Sequence, residues 1–274
     1  MNVGPIPYEP LPPGAAAPRR PSPWAATVLF MWRTWQHTRN NPFGLAMDAL
    51  LTPVLMMLIF AYLFGGAIAG SANAYLQYLL PGILVLTVVP MTVYSGTTLC
   101  QDLSRGVYNR FRTMPFWQPA AVLGPLATDA LRYAAALLAT CGAGLLLGYR
   151  PDGGAPGTLL GALFILLFAF SVSWIFSTIG LIAKRPETVS GTSMMVLYPL
   201  LFASNILVDS STMPGWIDMV VKLNPISVAV TAARGLMEGT AGAADLAAGI
   251  GVCLLLLVVF VPTAFYLYLT KKAR

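Results

Sequence analysis

The sequence has few charged residues and few cysteines, and each shortage excludes a class of protein. Asp, Glu, Lys and Arg make up 9% of the 274 residues, whereas a soluble domain carries about 25%. Such a chain cannot cover its surface in water, so the bilayer is the expected solvent. The three cysteines, Cys100, Cys141 and Cys253, form no CxxC pair and no metal-ligand spacing. We expect them to serve packing, and we expect no metal site.

Motifs for catalysis and for ATP binding are missing as well. The one histidine is His37, and the chain contains no H-E-x-x-H and no G-x-S-x-G. It also contains no G-x-x-x-x-G-K-[ST], so it has no phosphate-binding loop of that type. We therefore expect neither an enzyme nor a cofactor on this chain.

The positive charge is distributed as in a membrane protein. The net charge is +6, but the basic residues form short clusters between apolar runs, which argues against nucleic acid as a partner. With a cytoplasmic N-terminus, thirteen Lys and Arg residues fall inside and three fall outside, namely Arg150, Lys222 and Arg234. By the positive-inside rule, both termini are predicted to be cytoplasmic.

The apolar runs predict an all-α membrane protein with six transmembrane helices. Residues 1–23 contain eight prolines and are predicted to be a disordered cytoplasmic tail. Residues 24–270 form the transmembrane domain, and residues 271–274 a basic cytoplasmic tail. Within the domain, residues 24–40 predict an amphipathic helix on the membrane surface, or a cap of the first span. The six spans are expected near 46–65, 76–99, 125–148, 158–182, 188–208 and 246–269.

The connection between the second and third spans is amphipathic. Leu103, Val107, Phe111 and Met114 share one helical face, and Pro115 ends the pattern. Asp102, Arg105, Asn109 and Arg112 share the other face. This predicts a short helix that either rests on lipid headgroups or docks onto a cytoplasmic partner.

Three further patterns lie in or beside the spans. Residues 209–245 predict short helices that dip into the outer leaflet and return, with a turn at Asn224-Pro225. Met194, Met195, Tyr198 and Phe202 of the fifth span predict either an adaptable substrate wall or ordinary packing. The pairs Gly144/Gly148 and Gly157/Gly161 are expected to bring helices of one chain close together.

The ionisable residues that bear on the main alternative, a secondary transporter, are Asp48 and the pair of Asp129 and Arg132, each near the cytoplasmic end of its predicted span. Proton or sodium coupling places charges inside spans. Asp129 and Arg132 are three apart on one helical face, which favours a local ion pair over an ion-coupling site. A secondary transporter or a channel, independent of ATP, nevertheless stays open as the alternative.

Two motifs resemble those of a known family, the permeases of type-2 ABC exporters in the drug- and polyketide-resistance branch. The first runs Asp102-Leu-Ser-Arg-Gly-Val-Tyr-Asn-Arg-Phe-Arg-Thr-Met-Pro115 and is similar to that branch's coupling helix. The second, Met213-Pro-Gly-Trp-Ile followed by Asn224-Pro-Ile-Ser and Arg234-Gly-Leu, resembles its outer re-entrant region. The resemblance covers about residues 24–270. One departure is Asp102, where relatives often have glutamate.

The resemblance implies a permease that exports an amphipathic drug-, polyketide- or lipid-like molecule from the plasma membrane of a bacterium. It implies two ATPase subunits, which hold ATP and Mg²⁺, and a second copy of this permease or a related one. The residues it implies for ATPase coupling are Asp102, Arg105, Gly106, Val107, Arg110, Phe111, Arg112 and Pro115. Those it implies for the outer re-entrant region are Pro214, Trp216, Asn224, Pro225 and Arg234.

Overall fold

The structure is a computed structural model that describes residues 22–39, 43–44, 47–105 and 117–270. All regular structure in those ranges is helical. Most of the predicted tail 1–23, and all of 271–274, lie outside the described residues. In chain order the helices are α1 (Pro23–Arg39), α2 (Ala49–Ala69), α3 (Ala72–Met91), α4 (Val93–Ser104), α5 (Ala120–Leu146), α6 (Gly154–Ile182), α7 (Pro186–Phe202), α8 (Gly215–Leu223), α9 (Pro225–Glu238) and α10 (Ala243–Thr270).

Five helices in the described part are long and apolar enough to cross a bilayer. They are α2, the continuous stretch of α3 and α4, α5, α6 and α10. The count becomes six if the bent pair of α8 and α9 is one span. The fifth span of the sequence prediction, 188–208, corresponds to α7, which has 17 residues and ends at Phe202. Residues 203–209 beyond it are not helical, and a 3-10 turn at Ser210–Thr212 follows. The hydroxyl of Ser204 bonds to the carbonyl of Leu201, which competes with further turns of α7.

The stretch formed by α3 and α4 lies at the centre of the bundle. Within its most apolar 18 residues, 78% are buried, compared with 22% in α2 and 11% in α10. The largest apolar cluster joins α3 to α5, α6 and α9 through residues such as Leu80, Ile165 and Val230. The two helices meet at Thr92, two residues after Pro90, which has no backbone donor. The Thr92 hydroxyl bonds to the carbonyl of Val89 at 2.6 Å.

Glycines set the closest approaches between the helices. A Cβ at Gly96 of α4 would collide with the carbonyl oxygen of Phe176 in α6, and a Cβ at Gly180 would collide with that of Gly96. Gly157 and Gly161 of α6 lie against α9, where added Cβ atoms would sit 2.6 Å from the Leu236 oxygen and 2.5 Å from the Met237 side chain. The expected close packing within one chain is therefore confirmed for this second pair. Small residues are the usual means of such contact in a bilayer.

Helix α1 packs on the first half of α5. Ala26 and Phe30 are buried among residues of the α5 N-terminus, and a Cβ at Gly124 would collide with Phe30 and lie 2.9 Å from the Met31 nitrogen. The opposite face of α1 is exposed and rich in tryptophan, with Trp24, Trp32 and Trp35. Buried positions four residues apart thus give α1 one protein-facing side and one apolar outer side. Its placement in the headgroup layer stays a prediction.

We expect Gly96→Ala to destabilise the permease strongly, because the new Cβ would meet helix backbone, which cannot rotate away. The loss should lie at or above the upper end of the about 1–3 kcal/mol typical of overpacked cores. The measurement is the apparent melting temperature of the purified protein, together with its level in the membrane. Gly142→Ala in α5 is the matched control, since no atom lies within 4 Å of its added Cβ. Equal melting temperatures for both variants would contradict the close crossing of α4 and α6.

Candidate functional site

The described part of the predicted coupling segment is the last turn of α4. Asp102 lies in that turn, and its carboxylate accepts two hydrogen bonds from the guanidinium of Arg33 in α1. The distances are 3.1 Å from Nη1 to Oδ2 and 3.0 Å from Nη2 to Oδ1. Arg105, at the end of α4, is exposed. Outside the described residues lie Gly106, Val107, Arg110, Phe111, Arg112 and Pro115.

Two turns further back along α4, a polar cluster joins α4 to α5 inside the apolar bundle. Asp129 is buried and accepts hydrogen bonds from Ser95 at 2.6 Å and from Arg132 at 3.1 Å. The Tyr133 hydroxyl lies 3.1 Å from the Ser95 hydroxyl, and the Arg132 guanidinium lies 5.3 Å from the centre of the Tyr94 ring. The predicted local ion pair of Asp129 and Arg132 is confirmed. Because each charge has a partner, burial of both is tolerated.

The predicted outer hairpin consists of α8 and α9, which meet at an angle of 81°. Asn224 forms the bend and is buried. Its Oδ1 caps α9 by accepting a hydrogen bond from the Ile226 amide at 2.9 Å. Its Nδ2 donates to the carbonyls of Leu200 at 2.6 Å and Ala203 at 2.8 Å, at the end of α7. The side chain of Asn224 therefore ties the start of α9 to the end of α7, and its backbone ends α8. Pro225 begins α9, a position where its missing amide costs nothing.

The non-helical chain after α7 is held by side chains from α3 and α9. The Asn205 carbonyl accepts hydrogen bonds from Tyr78 at 2.9 Å and from Arg234 at 3.1 Å. The Leu207 carbonyl accepts one from Tyr75 at 2.7 Å. The Arg234 guanidinium carbon also lies over the Tyr78 ring, 3.7 Å from its centre, and its Nε donates to the Tyr78 carbonyl at 3.3 Å. Arg234 thus ties α9 to α3 and to the chain that follows α7.

Helix α8 presents an apolar face that the chain leaves uncovered. Trp216, Met219 and Leu223, spaced by three or four residues, are 73%, 67% and 78% exposed. On its other side, Lys222 pairs with Asp218 at 2.7 Å. Pro214, just before the helix, is exposed. An uncovered apolar stripe on so short a helix is typical of a segment that lies in lipid or against another protein.

An apolar groove of about 340 Å³ opens between α2, α3 and α7. Three of the four predicted substrate-wall residues line it, namely Met194, Tyr198 and Phe202. The prediction grouped Met195 with them, but Met195 lies elsewhere on α7 and is 79% exposed. A helix places adjacent residues about 100° apart, so Met194 and Met195 face different surroundings. The remaining lining is mostly apolar and includes Pro53, Phe60, Ile83, Thr87, Pro90 and Tyr94.

Several residues at these sites escaped the sequence prediction. Arg33 was assigned only to a membrane-surface helix, and Tyr75, Tyr78 and Asn205 were not singled out. Arg33 carried a signal, since an arginine between apolar residues of one helix needs a partner. The tyrosines carried none, because their hydroxyls find acceptors 127 and 132 residues away.

In the part of the chain that the structure describes, no three His, Cys, Asp or Glu side chains lie together in a way that could hold a metal ion.

Similarity to known proteins identifies the family of this chain. The sequence profile of the family described as "ABC-2 type transporter" matches residues 25–237. The chain belongs to the ABC-2 type transporter family. The resemblance to type-2 exporter permeases, drawn above from two motifs, is thereby confirmed.

Relatives within the ABC-2 family include permeases named for drug resistance. "Daunorubicin resistance ABC transporter permease protein DrrB1" of Streptomyces coeruleorubidus is 50% identical over 257 residues, which cover 94% of this chain and 90% of the relative. "Probable doxorubicin resistance ABC transporter permease protein DrrC" of Mycobacterium tuberculosis is 23% identical over 231 residues, 82% of this chain and 83% of that protein. This chain is accordingly a multi-pass membrane permease of an ABC exporter.

We expect Asn224→Asp to destabilise the permease by about 1–3 kcal/mol, because it removes the donor to two carbonyls and keeps the cap of α9. A fall in the apparent melting temperature of the purified protein measures this. Asn73→Asp, near the start of α3, is the matched control. In the described part of the chain, the side-chain amide of Asn73 makes no hydrogen bond that holds the end of another helix. A melting temperature for Asn224→Asp equal to that of the control would show that the bend does not depend on the two carbonyl bonds.

Proposed function

We propose that this chain is the membrane subunit of an exporter that moves an amphipathic drug-, polyketide- or lipid-like molecule across or out of the plasma membrane of a bacterium. ATP hydrolysis takes place on a separate ATPase chain, which holds ATP and Mg²⁺. The observation that carries the proposal is the 50% identity, over nearly the full length of both chains, to a permease named for daunorubicin resistance. The lack of a phosphate-binding loop in this sequence agrees with a separate motor.

In this proposal the N-terminus, the C-terminus and the segment 102–115 are cytoplasmic, and six spans cross the bilayer. The distribution of Lys and Arg supports the orientation. With α7 as the fifth span, the α8–α9 hairpin enters the outer leaflet and returns. The exposed apolar face of α8 supports that location, because it would otherwise meet water. The buried Asn224 supports it too, because its bend needs no solvent to satisfy the neighbouring carbonyls.

The cytoplasmic segment 102–115 docks onto the ATPase, two copies of which serve two permeases. The second permease is another copy of this chain or a related one. Both α2 and α7, which line the groove, also have exposed apolar side chains, with Leu63 on α2 and Met195 and Val196 on α7. A second permease that covers these faces would turn the open groove into a closed path between the two subunits.

The groove between α2, α3 and α7 is the proposed substrate surface. Its volume of about 340 Å³ lies within the range of small-molecule sites, about 300–1,000 Å³. The rings of Tyr198 and Phe202, 6.5 Å apart, together with Phe60 and Met194, offer aromatic and polarisable contacts to a flat amphipathic molecule. Such side chains adapt to different substrates more readily than a rigid aliphatic wall does.

The secondary-transporter alternative is disfavoured by the partners of the buried charges. Asp129 binds both Arg132 and Ser95, so a transported proton or sodium ion would have to break this cluster. The ion pair lies within α5, and the Ser95 hydroxyl joins it to α4.

One prediction of this proposal concerns binding of the ATPase. We expect Phe111→Ala with Arg112→Ala to leave the permease in the membrane but to release the ATPase, because an aromatic ring and an arginine at an interface each contribute about 2 kcal/mol, or about 30-fold in affinity. Recovery of the co-expressed ATPase with tagged permease is the measurement. Trp216→Ala with Lys222→Ala, on α8, is the control and should recover the ATPase fully. Export by the purified permease alone, driven by a proton gradient, would refute the proposed function.

Another prediction of this proposal concerns the groove as the substrate surface. We expect Tyr198→Ala and Phe202→Ala each to reduce daunorubicin export by about tenfold, as expected for the loss of about 1.4 kcal/mol of aromatic contact. Export is measured in vesicles that contain the permease and its ATPase at equal levels. Leu138→Ala in α5 is the control, since Leu138 is exposed and lies outside both the groove and the faces proposed for the second permease. A loss of export that is equal for Leu138→Ala and Tyr198→Ala would mean that the groove is not the substrate surface.

A further inference from the structure

Helix α1 contacts both ends of the chain that flank segment 106–116. The last turn of α4 leads into this segment, and the first turns of α5 follow it. On the α4 side, the contact is the pair of hydrogen bonds between Arg33 and Asp102. On the α5 side, Gly124 admits the backbone of Phe30 and Met31, and the Thr128 hydroxyl donates to the Met31 carbonyl at 3.0 Å. One helix therefore holds two stems that are separated by the predicted coupling segment.

The geometry of the ion pair gives it an orienting role. Both carboxylate oxygens of Asp102 are engaged by two nitrogens of one planar guanidinium, which fixes direction as well as distance. A lysine in place of Arg33 would supply a point charge without this second constraint. The side chains are 35% and 26% exposed, so salt and solvent weaken the attraction but leave the geometry. A basic residue of an ATPase would compete with Arg33 for Asp102.

The apolar contacts around the ion pair also support an orienting role for this region. Leu99 of α4, Ala26 and Phe30 of α1, and Ala120 of α5 belong to one buried cluster, against which Leu103 also packs. The three helices thus share a small core directly beside the ion pair. A displacement of segment 106–116 would act on this core through both stems at once.

We infer that Asp102 and Arg33 are positioning residues, and that α1 acts as a brace that holds α4 and α5 at a fixed separation below the coupling segment. This inference rests on the proposed function, because it assumes that an ATPase acts on that segment. It differs from the sequence expectation for Asp102, which placed this residue among those that touch the ATPase. With the brace intact, a push on the segment moves α4, whose Tyr94 lines the groove. When the contacts of α1 are broken, α4 and α5 move apart, and a displacement of the coupling segment no longer reaches the groove.

The test is an exchange of charges in the complete complex of permease and ATPase. Arg33→Asp and Asp102→Arg each bring two like charges together, so we expect export of daunorubicin to fall about tenfold or more. We expect ATPase recovery with tagged permease to stay within about twofold of the wild type, because Asp102 does not contact the ATPase. The double exchange restores opposite charges and should recover at least about half of the export. ATP hydrolysis per molecule exported should rise in the single variants and return in the double variant.

Controls separate the brace from general folding. Asp218→Lys reverses one member of the Asp218–Lys222 pair of α8 and should leave both readouts near the wild-type values. Membrane level and melting temperature are measured for every variant. Should the single variants fail to fold, Arg33→Lys and Asp102→Asn provide milder changes, with a partial loss of export expected for each.

Three outcomes would overturn the inference. Release of the ATPase by Asp102→Arg but not by Arg33→Asp would show that Asp102 contacts the ATPase directly. A double exchange that is inserted, stable and bound to ATPase, yet exports no better than the single variants, would show that the pair has no positioning role. Full export by the single variants would show the same.

If wild-type permease recovers no ATPase, the proposed function itself fails. The melting temperatures of the four forms of the permease alone then still report whether the two residues interact, with additive changes counting against the brace.

Discussion

A bilayer supplies no hydrogen bonds to the protein backbone, and this constraint governs the structure. Helices satisfy their own amides and carbonyls, and nearly all of the described chain is helical. The exception that matters is the chain after α7, where the carbonyls of Ala203, Asn205 and Leu207 have no helical partner. The Ala203 carbonyl accepts a hydrogen bond from Asn224, and the Leu207 carbonyl accepts one from Tyr75. The Asn205 carbonyl accepts two, from Tyr78 and Arg234. These side chains make it possible for a sharply bent hairpin to pack on the bundle.

The same constraint explains why a charged residue sits in this region. An arginine in a membrane domain is costly unless its donors and its charge find partners. Arg234 has two carbonyl acceptors and lies over the face of Tyr78. Its burial thus serves the non-helical chain that it holds. Asp129 and Arg132 solve the same problem by pairing with each other, with help from Ser95.

Helix α4 connects three regions that the proposed function needs to act together. Its last turn carries Asp102, which pairs with Arg33 of α1, and its first turn crosses α6 at Gly96 with backbone against backbone. The same first turn carries Tyr94, which lines the groove. Because a helix is stiff along its axis and the crossing at Gly96 allows little sliding, a movement at one end is felt at the other. In the proposed function, this stiffness is the physical basis for a link between the ATPase and the groove.

What the sequence determined by itself is the class of protein and the order of its elements. The shortage of charge required a bilayer, the apolar runs marked the long helices, and the Asn224-Pro225 dipeptide marked the bend between α8 and α9. The close pair of Asp129 and Arg132 could be predicted because residues three apart on a helix are neighbours. These features depend on composition or on contacts within a few residues, so one sequence carries them.

Only the tertiary structure decided which distant residues meet. Asp102 was assigned by motif to the ATPase, and its carboxylate binds Arg33, 69 residues away. Met194 and Met195 were grouped together, and the packing of α7 on α2 and α3 put one in the groove and the other outside it. The end of α7 at Phe202 was missed because apolar composition continues to Val208, while Ser204 and Asn224 supply the bonds that stop the helix. Partners across the bundle are set by how helices pack, and helix packing in lipid follows shape and hydrogen bonding, which a local pattern of residues does not contain.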